Sequence, residues 1–378
     1  MAQEKNGQSK LPKWCSALLL AGGAIALVVG ATALLGEEAE AQPSRPVLSP
    51  EVHSDRTVVF RLRVPNAQSV TVNLESLPPL ALAKDETGVW TVTTEPLPAD
   101  LYSYSFSVDG VAIADPANPI HKANLMLPGS VLEVPGDPPQ VWEVADVPRG
   151  TVHRHFYKSA VVGDERDFYV YTPPGYDPQG EERYPVLYLL HGYSDHAAAW
   201  TSDGRANVIL DNLITAGKAR PMLIVMPLGY GIPKMGTPTG PGLSGESGAA
   251  NQAGFQRALL NEVMPVVERE YRVSADRDSR AIAGLSMGGG EAMVTGLNNL
   301  DTFAWVASFS GIAGMGGNID SVFPQLSADD NDRVRGLWIY CGVDDFLLGA
   351  NRAMNQWLEA RDIWHAYVET PGAHTWQV

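Results

Sequence analysis

Six nearly continuous apolar runs punctuate the second half of this 378-residue sequence: "YPVLYLLHG" (184–192), "PMLIVMP" (221–227), "SRAIAGL" (279–285), "FAWVASFS" (303–310), "GLWIYCG" (336–342) and "WHAYVET" (364–370). A strand with one wet face alternates, so runs that are apolar at almost every position must be covered on both sides. Segments of helical period lie between them. In "FQRALLNEVMPVVEREY" (255–271), Phe255, Leu259, Val263, Val266, Val267 and Tyr271 recur at three- and four-residue steps, and Pro265 predicts a kink. Strands alternating with helices imply an α/β domain with a mainly parallel sheet, whose sites belong at the carboxyl ends of the strands.

The preceding residues follow a period of two. In "LYSYSFSV" (101–108), Tyr102, Tyr104 and Phe106 alternate with Ser103, Ser105 and Ser107, and "TVVFRLRV" (57–64) and "SVTVNL" (69–74) behave alike. Pro65-Asn66 and Asp109-Gly110 supply turns between them. Residues 42–135 therefore read as a small all-β sandwich, and the Pro-rich "VPGDPPQVWEVADVPRGT" (134–151) as a linker over 136–150. The α/β domain then occupies 151–378, and two domains suit this chain length.

The first 41 residues read as a targeting segment. Lys5, Lys10 and Lys13 precede an apolar run from Ala17 to Leu35, and Ala39-Glu40-Ala41 is a small-x-small pattern that a signal peptidase accepts. The expectation is a cleaved signal and a secreted or periplasmic protein, with an uncleaved membrane anchor as the alternative, since the run is just long enough to cross a bilayer. Of two cysteines, Cys15 lies in this segment, so the mature chain keeps Cys341 alone and no internal disulfide.

Apolar residues make up 45% of the chain and charged ones 19%, as in globular proteins. The net charge of -16 falls only to about -15 without the targeting segment, which argues against nucleic acid or an anionic membrane surface as partner and favours a neutral substrate.

"AIAGLSMGGGEAM" (281–293) carries the chemistry: an apolar strand, then Gly284-Leu285-Ser286-Met287-Gly288, then small residues able to open a helix. This is a G-x-S-x-G nucleophile elbow in the strand-turn-helix context it requires. A serine hydroxyl needs a base to take its proton and a carboxylate to orient that base. On this elbow the chain order is Ser, acid, His. Two histidines follow Ser286. His365 opens the strand "WHAYVET" and reads as a sheet residue; His374, on the loop beyond that strand after Pro371-Gly372, is placed as the base. "IYCGVDDF" (339–346) ends with two candidate acids, Asp344 and Asp345, of which Asp345 is preferred.

The oxyanion needs two N–H donors. One is the backbone of Met287, directly after the nucleophile. The loop in "LLHGYSDHAAAW" (189–200) offers the Tyr193 N–H as the second, with His191 bracing that loop rather than moving protons.

Other features have structural readings. His153-x-His155 has metal-like spacing but no accompanying carboxylate or cysteine cluster, so no metal site is assigned. Trp90 and Tyr104 suit a packed sandwich core better than sugar binding. "GYGIPKMGTPTGPGLSGESGAANQ" (229–252) reads as a long loop on the strands' carboxyl side that lines the substrate cleft.

Residues 150–378 resemble the esterase D family of α/β-hydrolases, through "YTPPGYD" (171–177), "YPVLYLLHG", "GLSMGG", "CGVDDFLLGANR" (341–352) and "GAHTW" (372–376). That family includes feruloyl, acetyl-xylan and enterochelin esterases and mycolyltransferases. Members often carry "CGTEDFL" where this chain has "CGVDDFL", which selects Asp345. The stretch 88–118 resembles the immunoglobulin-like E-set domains that precede many such esterases. Members usually continue past the "GHTW" motif into a further helix, so the resemblance implies a truncated C-terminus.

The resemblance implies a cofactor-free serine carboxylic-ester hydrolase with a Ser286–Asp345–His374 triad, acting on feruloyl or acetyl esters of polysaccharide. The alternatives are an acyltransferase to a sugar or alcohol, an enterochelin-type siderophore esterase, and a non-catalytic carbohydrate-binding protein. An anionic ferric siderophore suits an acidic chain poorly.

Overall fold

The structure, a computed structural model, describes residues 46–311, 313 and 318–377. The expected targeting segment and Cys15 lie outside these residues. Among the described residues no helix is long and apolar enough to cross a membrane.

The period-two region forms nine strands: β1 Glu51–Val52, β2 Val58–Arg63, β3 Val70–Leu74, β4 Leu80–Ala81, β5 Ala83–Lys84, β6 Val89–Thr93, β7 Asp100–Val108, β8 Val111–Ile113 and β9 Ser130–Val134. They assemble into two antiparallel sheets, β1-β2-β6-β5 and β4-β3-β7-β8, with β9 also on β7. Phe60 and Leu62 of β2, Val72 of β3, Trp90 of β6 and Tyr104 and Phe106 of β7 share one buried core, so the sheets pack face to face. Trp90 and Tyr104 are core residues, and the Trp90 indole N–H donates to the Val64 carbonyl.

The second region is built on one eight-stranded sheet. Its strands are β10 Thr151–Lys158, β11 Glu165–Thr172, β12 Val186–Leu190, β13 Leu223–Pro227, β14 Arg280–Leu285, β15 Trp305–Phe309, β16 Gly336–Gly342 and β17 Ala366–Thr370. Their order is β10-β11-β13-β12-β14-β15-β16-β17. The six strands β12 to β17 run parallel, and β11 pairs antiparallel with both β10 and β13. All the apolar runs of the sequence are strands here, with Val186, Tyr188, Val225 and Ile282 fully buried.

The helices are α1 Ala199–Ser202, α2 Ala206–Thr215, α3 Gly245–Ala258, α4 Met264–Glu270, α5 Met287–Leu297, α6 Ile319–Val322 and α7 Leu348–Glu359. The kink expected at Pro265 is a π-helical turn over Leu259–Val263, which leaves Pro265 in the first turn of α4, where its missing N–H is harmless. One expectation is corrected: the Gly/Pro/Ser stretch 229–252 is not all loop, because α3 begins at Gly245. Phe255 is buried and the α3 backbone meets Gly231 directly, so tertiary packing overrides the weak helix propensity of three glycines.

Sandwich and α/β region belong to one compact unit, Val47–Val378, and are joined by specific bonds. Arg205 pairs with Glu133 of β9, and the Asn212 amide donates to the Val141 and Glu143 carbonyls of the intervening segment.

Candidate active site

Strand β14 delivers Ser286 to the carboxyl edge of the sheet. Ser286 has φ 56° and ψ -116°, a strained conformation for a residue with a side chain, held by its N–H donating to Phe309 O (2.8 Å) and its carbonyl accepting from Gly290 N–H (3.0 Å). The flanking glycines are required by space. A Cβ on Gly284 would sit 2.3 Å from the Gly288 carbonyl, and one on Gly288 would sit 2.5 Å from the Leu190 carbonyl oxygen. Sheet and helix α5 thus touch backbone to backbone, and Ser286 is left half-buried at the crest of the turn.

The imidazole of His374 reaches this crest from the loop after β17. The Ser286 hydroxyl donates to His374 Nε2 at 2.9 Å, and His374 Nδ1–H donates to Asp345 Oδ2 at 2.8 Å. The Asp345 side chain is wholly buried and its Oδ1 accepts the Leu347 N–H at 2.7 Å, so the carboxylate is fixed from both oxygens. Asp344 is exposed, and its backbone N–H holds the histidine loop by donating to Gly372 O (2.9 Å). The structure therefore brings Ser286, His374 and Asp345 together and leaves the Asp344 carboxylate out. Phe346, 77% exposed, lies 4.6 Å from the His374 ring, a contact that the sequence reading did not anticipate.

Met287 is the first residue of α5, where helix geometry leaves N–H groups free. Gly192 sits against the nucleophile: a Cβ there would be 3.6 Å from Ser286 Cβ, which puts Tyr193 on the neighbouring loop. Among the described residues, neither the Met287 nor the Tyr193 N–H has a hydrogen-bond acceptor. Two open donors beside a positioned hydroxyl make a site able to stabilise a developing oxyanion.

His191 is a brace. Its Nδ1–H donates to Gly192 O and its Nε2 accepts the Gly229 N–H, both at 2.8 Å, and burial pushes its pKa down to about 4. The loop after β13 packs beside it: Tyr230 donates its hydroxyl to Asp195 O (2.7 Å) and joins Met235, Met287 and Tyr193 in one apolar cluster. Beneath lies Glu291, 1% exposed, with burial raising its carboxyl well above the usual range. It accepts from the Asn251 amide at 2.9 Å, while Asn251 Oδ1 accepts the Gly231 N–H at 2.7 Å.

The sandwich reaches this site too. Asn124 forms a β-bridge with Asp195, and the backbone pairs Leu125 N–H to Ser194 O and His196 N–H to Ala123 O flank it. His153 and His155 have structural surroundings: His155 stacks on Phe168 and bonds to the Tyr271 hydroxyl, and the His153 ring packs edge-on against Tyr271. His365 bonds to Ile363 O and Asn355 Oδ1, each at 2.7 Å, well away from Ser286 in its bonding.

The Esterase family model matches residues 159–377, more than half of the chain. The chain belongs to the Esterase family. An endo-1,4-beta-xylanase/feruloyl esterase of Xylanibacter ruminicola is 30% identical over 312 residues, covering 81% of this chain. This chain spans only 40% of that relative's length. Among solved structures, a CE1 ferulic acid esterase of Anaeromyces mucronatus in complex with ferulic acid is similar at 28% identity and a TM-score of 0.53, over 62% of this chain and 88% of that one. The enterobactin esterase of Shigella flexneri shares the fold at 21% identity and a TM-score of 0.61, over 84% of this chain and 88% of that one. An esterase-like α/β-hydrolase fold is thereby established for the larger region.

Proposed function

We propose that this esterase is an exported serine carboxylic-ester hydrolase that works through an acyl-enzyme and acts on feruloyl or acetyl esters of polysaccharide. The observation that carries the reading is the continuous bond chain Ser286–His374–Asp345, at 2.9 and 2.8 Å, on an elbow where the Met287 N–H, and on the adjoining loop the Tyr193 N–H, have no acceptor among the described residues. His374 Nε2 takes the hydroxyl proton as Ser286 Oγ attacks the ester carbonyl, while Asp345 holds the imidazole in the right tautomer and balances its charge. Met287 and Tyr193 N–H receive the oxyanion, each worth about 3 kcal/mol of transition-state stabilisation. His374 then protonates the leaving alcohol, and water repeats the sequence to release the acid.

The substrate class rests on the feruloyl esterase relatives and on the acidic balance, which favours a neutral substrate. Export rests on Lys5, Lys10 and Lys13 ahead of the apolar run to Leu35. The all-β region is taken as an immunoglobulin-like E-set module over 42–135, joined through 136–150 to the catalytic domain. The decisive experiment is hydrolysis of methyl ferulate and of a short-chain nitrophenyl ester by wild type and Ser286→Ala. Turnover should fall by a factor on the order of a million; equal rates would remove the assignment.

A further inference from the structure

Glu291 stands one turn after Met287 on α5 and is buried, yet the acyl-transfer steps make no use of it. Among the described residues its one hydrogen bond is that from the Asn251 amide to Oε1, at 2.9 Å, and Oε2 has no partner. An ionised carboxylate withdrawn from water with a single neutral partner costs far more than the neutral acid does. An apolar side chain would fill the same space without that cost, so packing alone does not account for a carboxyl here.

What Glu291 holds leads to the nucleophile through three consecutive residues of the loop after β13. Gly231 N–H donates to Asn251 Oδ1 at 2.7 Å, which ties this loop to Glu291. The Tyr230 hydroxyl donates to Asp195 O at 2.7 Å, and Gly229 N–H donates to His191 Nε2 at 2.8 Å. His191 Nδ1–H passes the connection on to Gly192 O at 2.8 Å. Gly192 and Asp195 bracket Tyr193, whose N–H faces the oxyanion in the reading above. Glu291 also touches this path directly: a Cβ on Gly229 would meet Glu291 Oε2 and Met287 Cε at 3.2 Å and His191 Nε2 at 3.3 Å. The charge state of Glu291 therefore matters to His191. A negative charge beside the imidazole favours its protonation, and a protonated Nε2 cannot accept the Gly229 N–H. Arg166 faces Glu291 from β11, but its Nε is already paired with Asp164 at 3.2 Å. Burial raises the Glu291 carboxyl in spite of the Asn251 bond and Arg166.

We propose that Glu291 is a positioning residue that works as a neutral acid: its carbonyl oxygen holds Asn251 and with it the loop after β13, and its lack of charge keeps His191 neutral between Gly229 and Gly192. The loop carrying the Tyr193 N–H is thereby fixed from behind. The inference rests on the serine-esterase reading above and adds a residue that acts on the oxyanion loop without touching substrate.

The test uses wild type, Glu291→Gln, which keeps a neutral acceptor of the same shape, and Glu291→Leu, which keeps neither bond nor polarity. The infrared difference spectrum of wild type minus Glu291→Gln at neutral pH should show a protonated-carboxyl band, and its absence overturns the neutral acid. Hydrogen–deuterium exchange read by mass spectrometry should be faster over 191–195 as well as 229–235 in Glu291→Leu, and close to wild type in Glu291→Gln. Faster exchange confined to 229–235 would mean that Glu291 supports only its own surroundings, and it overturns the proposal. On methyl ferulate, Glu291→Leu should lose about tenfold in kcat with KM little changed, and Glu291→Gln should recover most of that loss. An equal loss in both variants, or a change in KM alone, also overturns it. Should wild type hydrolyse neither methyl ferulate nor a nitrophenyl ester, the esterase reading falls by itself, and the infrared band and the exchange pattern decide the role of Glu291. Should Glu291→Leu fail to fold, the infrared band and the kcat of Glu291→Gln decide: no band, or a kcat reduced tenfold, overturns the proposal.

Discussion

The Asn124 side chain of the sandwich donates to Asp195 Oδ1 at 2.9 Å and to Ser194 Oγ at 2.7 Å, and so grips the loop that carries the Tyr193 N–H. Ser194 has φ 71°, a left-handed conformation that a serine holds only when its surroundings fix it. Removing the grip frees that residue to relax and carries the Tyr193 N–H off its target. Asn124→Ala should therefore lower kcat on methyl ferulate about tenfold, roughly 1.4 kcal/mol of transition-state stabilisation, with KM little changed. Steady-state kinetics on the folded variant checks this; an unaltered kcat would make the sandwich a bystander to catalysis.

Asp344 and Asp345 differ by one position and by orientation. Asp345 is buried against His374, whereas Asp344 is exposed and contributes its backbone to the Gly372 loop. Asp345→Asn should reduce kcat by a factor on the order of ten thousand, because the amide no longer selects the required imidazole tautomer. Asp344→Asn should stay within about twofold of wild type, as surface substitutions usually do. Parallel assays of the two variants decide the matter, and the reverse order would exchange their roles.

Ser286 and His374 were legible because each sits at a strand end inside a local pattern, an elbow in one case and a small-residue loop in the other. The choice between the two aspartates was not a matter of spacing. Adjacent residues leaving a strand point opposite ways, and the bond from His374 Nδ1–H to Asp345 Oδ2 shows which one turns inward; from the sequence Asp345 was preferred, and the family resemblance selected it. Helix α3 was illegible over Gly245–Gln252 because its local propensity is poor and its stability comes from Phe255 and the Asn251–Glu291 bond, both distant in sequence. Asn124 was also missed. A lone asparagine in a turn-rich stretch carries no signal until the fold places Asp195 opposite it.

Gly288 permits helix α5 to lie against β12, since the space a Cβ would need is filled by the Leu190 and His191 carbonyl oxygens at 2.5 and 2.6 Å. These are backbone atoms with no flexible end to yield. Gly288→Ala should push α5 away, lower stability by about 1–3 kcal/mol and depress kcat as the Met287 N–H moves off Ser286. Denaturant unfolding and turnover of the same preparation report both effects, and wild-type values in both would contradict the tight-contact account.

Asp195 gives the pH dependence a defined sign. Burial is the main cause that lifts its pKa from 3.8 to about 7, with Lys122 and Asn124 opposing and Asp203 and Glu75 adding. The folded state therefore keeps a proton that the unfolded chain has already lost, and this contribution to stability is present at low pH and disappears as pH rises from about 4 to about 7. His191 works in the other direction: its pKa is held near 4, below the ordinary 6.5, so its contribution is lost as pH falls across that interval. The two slopes offset each other in wild type, which makes the raw melting curve a poor readout. Asp195→Asn isolates one of them, because the amide oxygen still accepts from Asn124 while His191 and Glu291 stay in place. The variant should match wild type near pH 4, gain in melting temperature up to about pH 7, and hold a constant advantage of a few kcal/mol above it. A difference between the two melting curves that does not vary with pH would mean that Asp195 is ionised in the folded protein throughout.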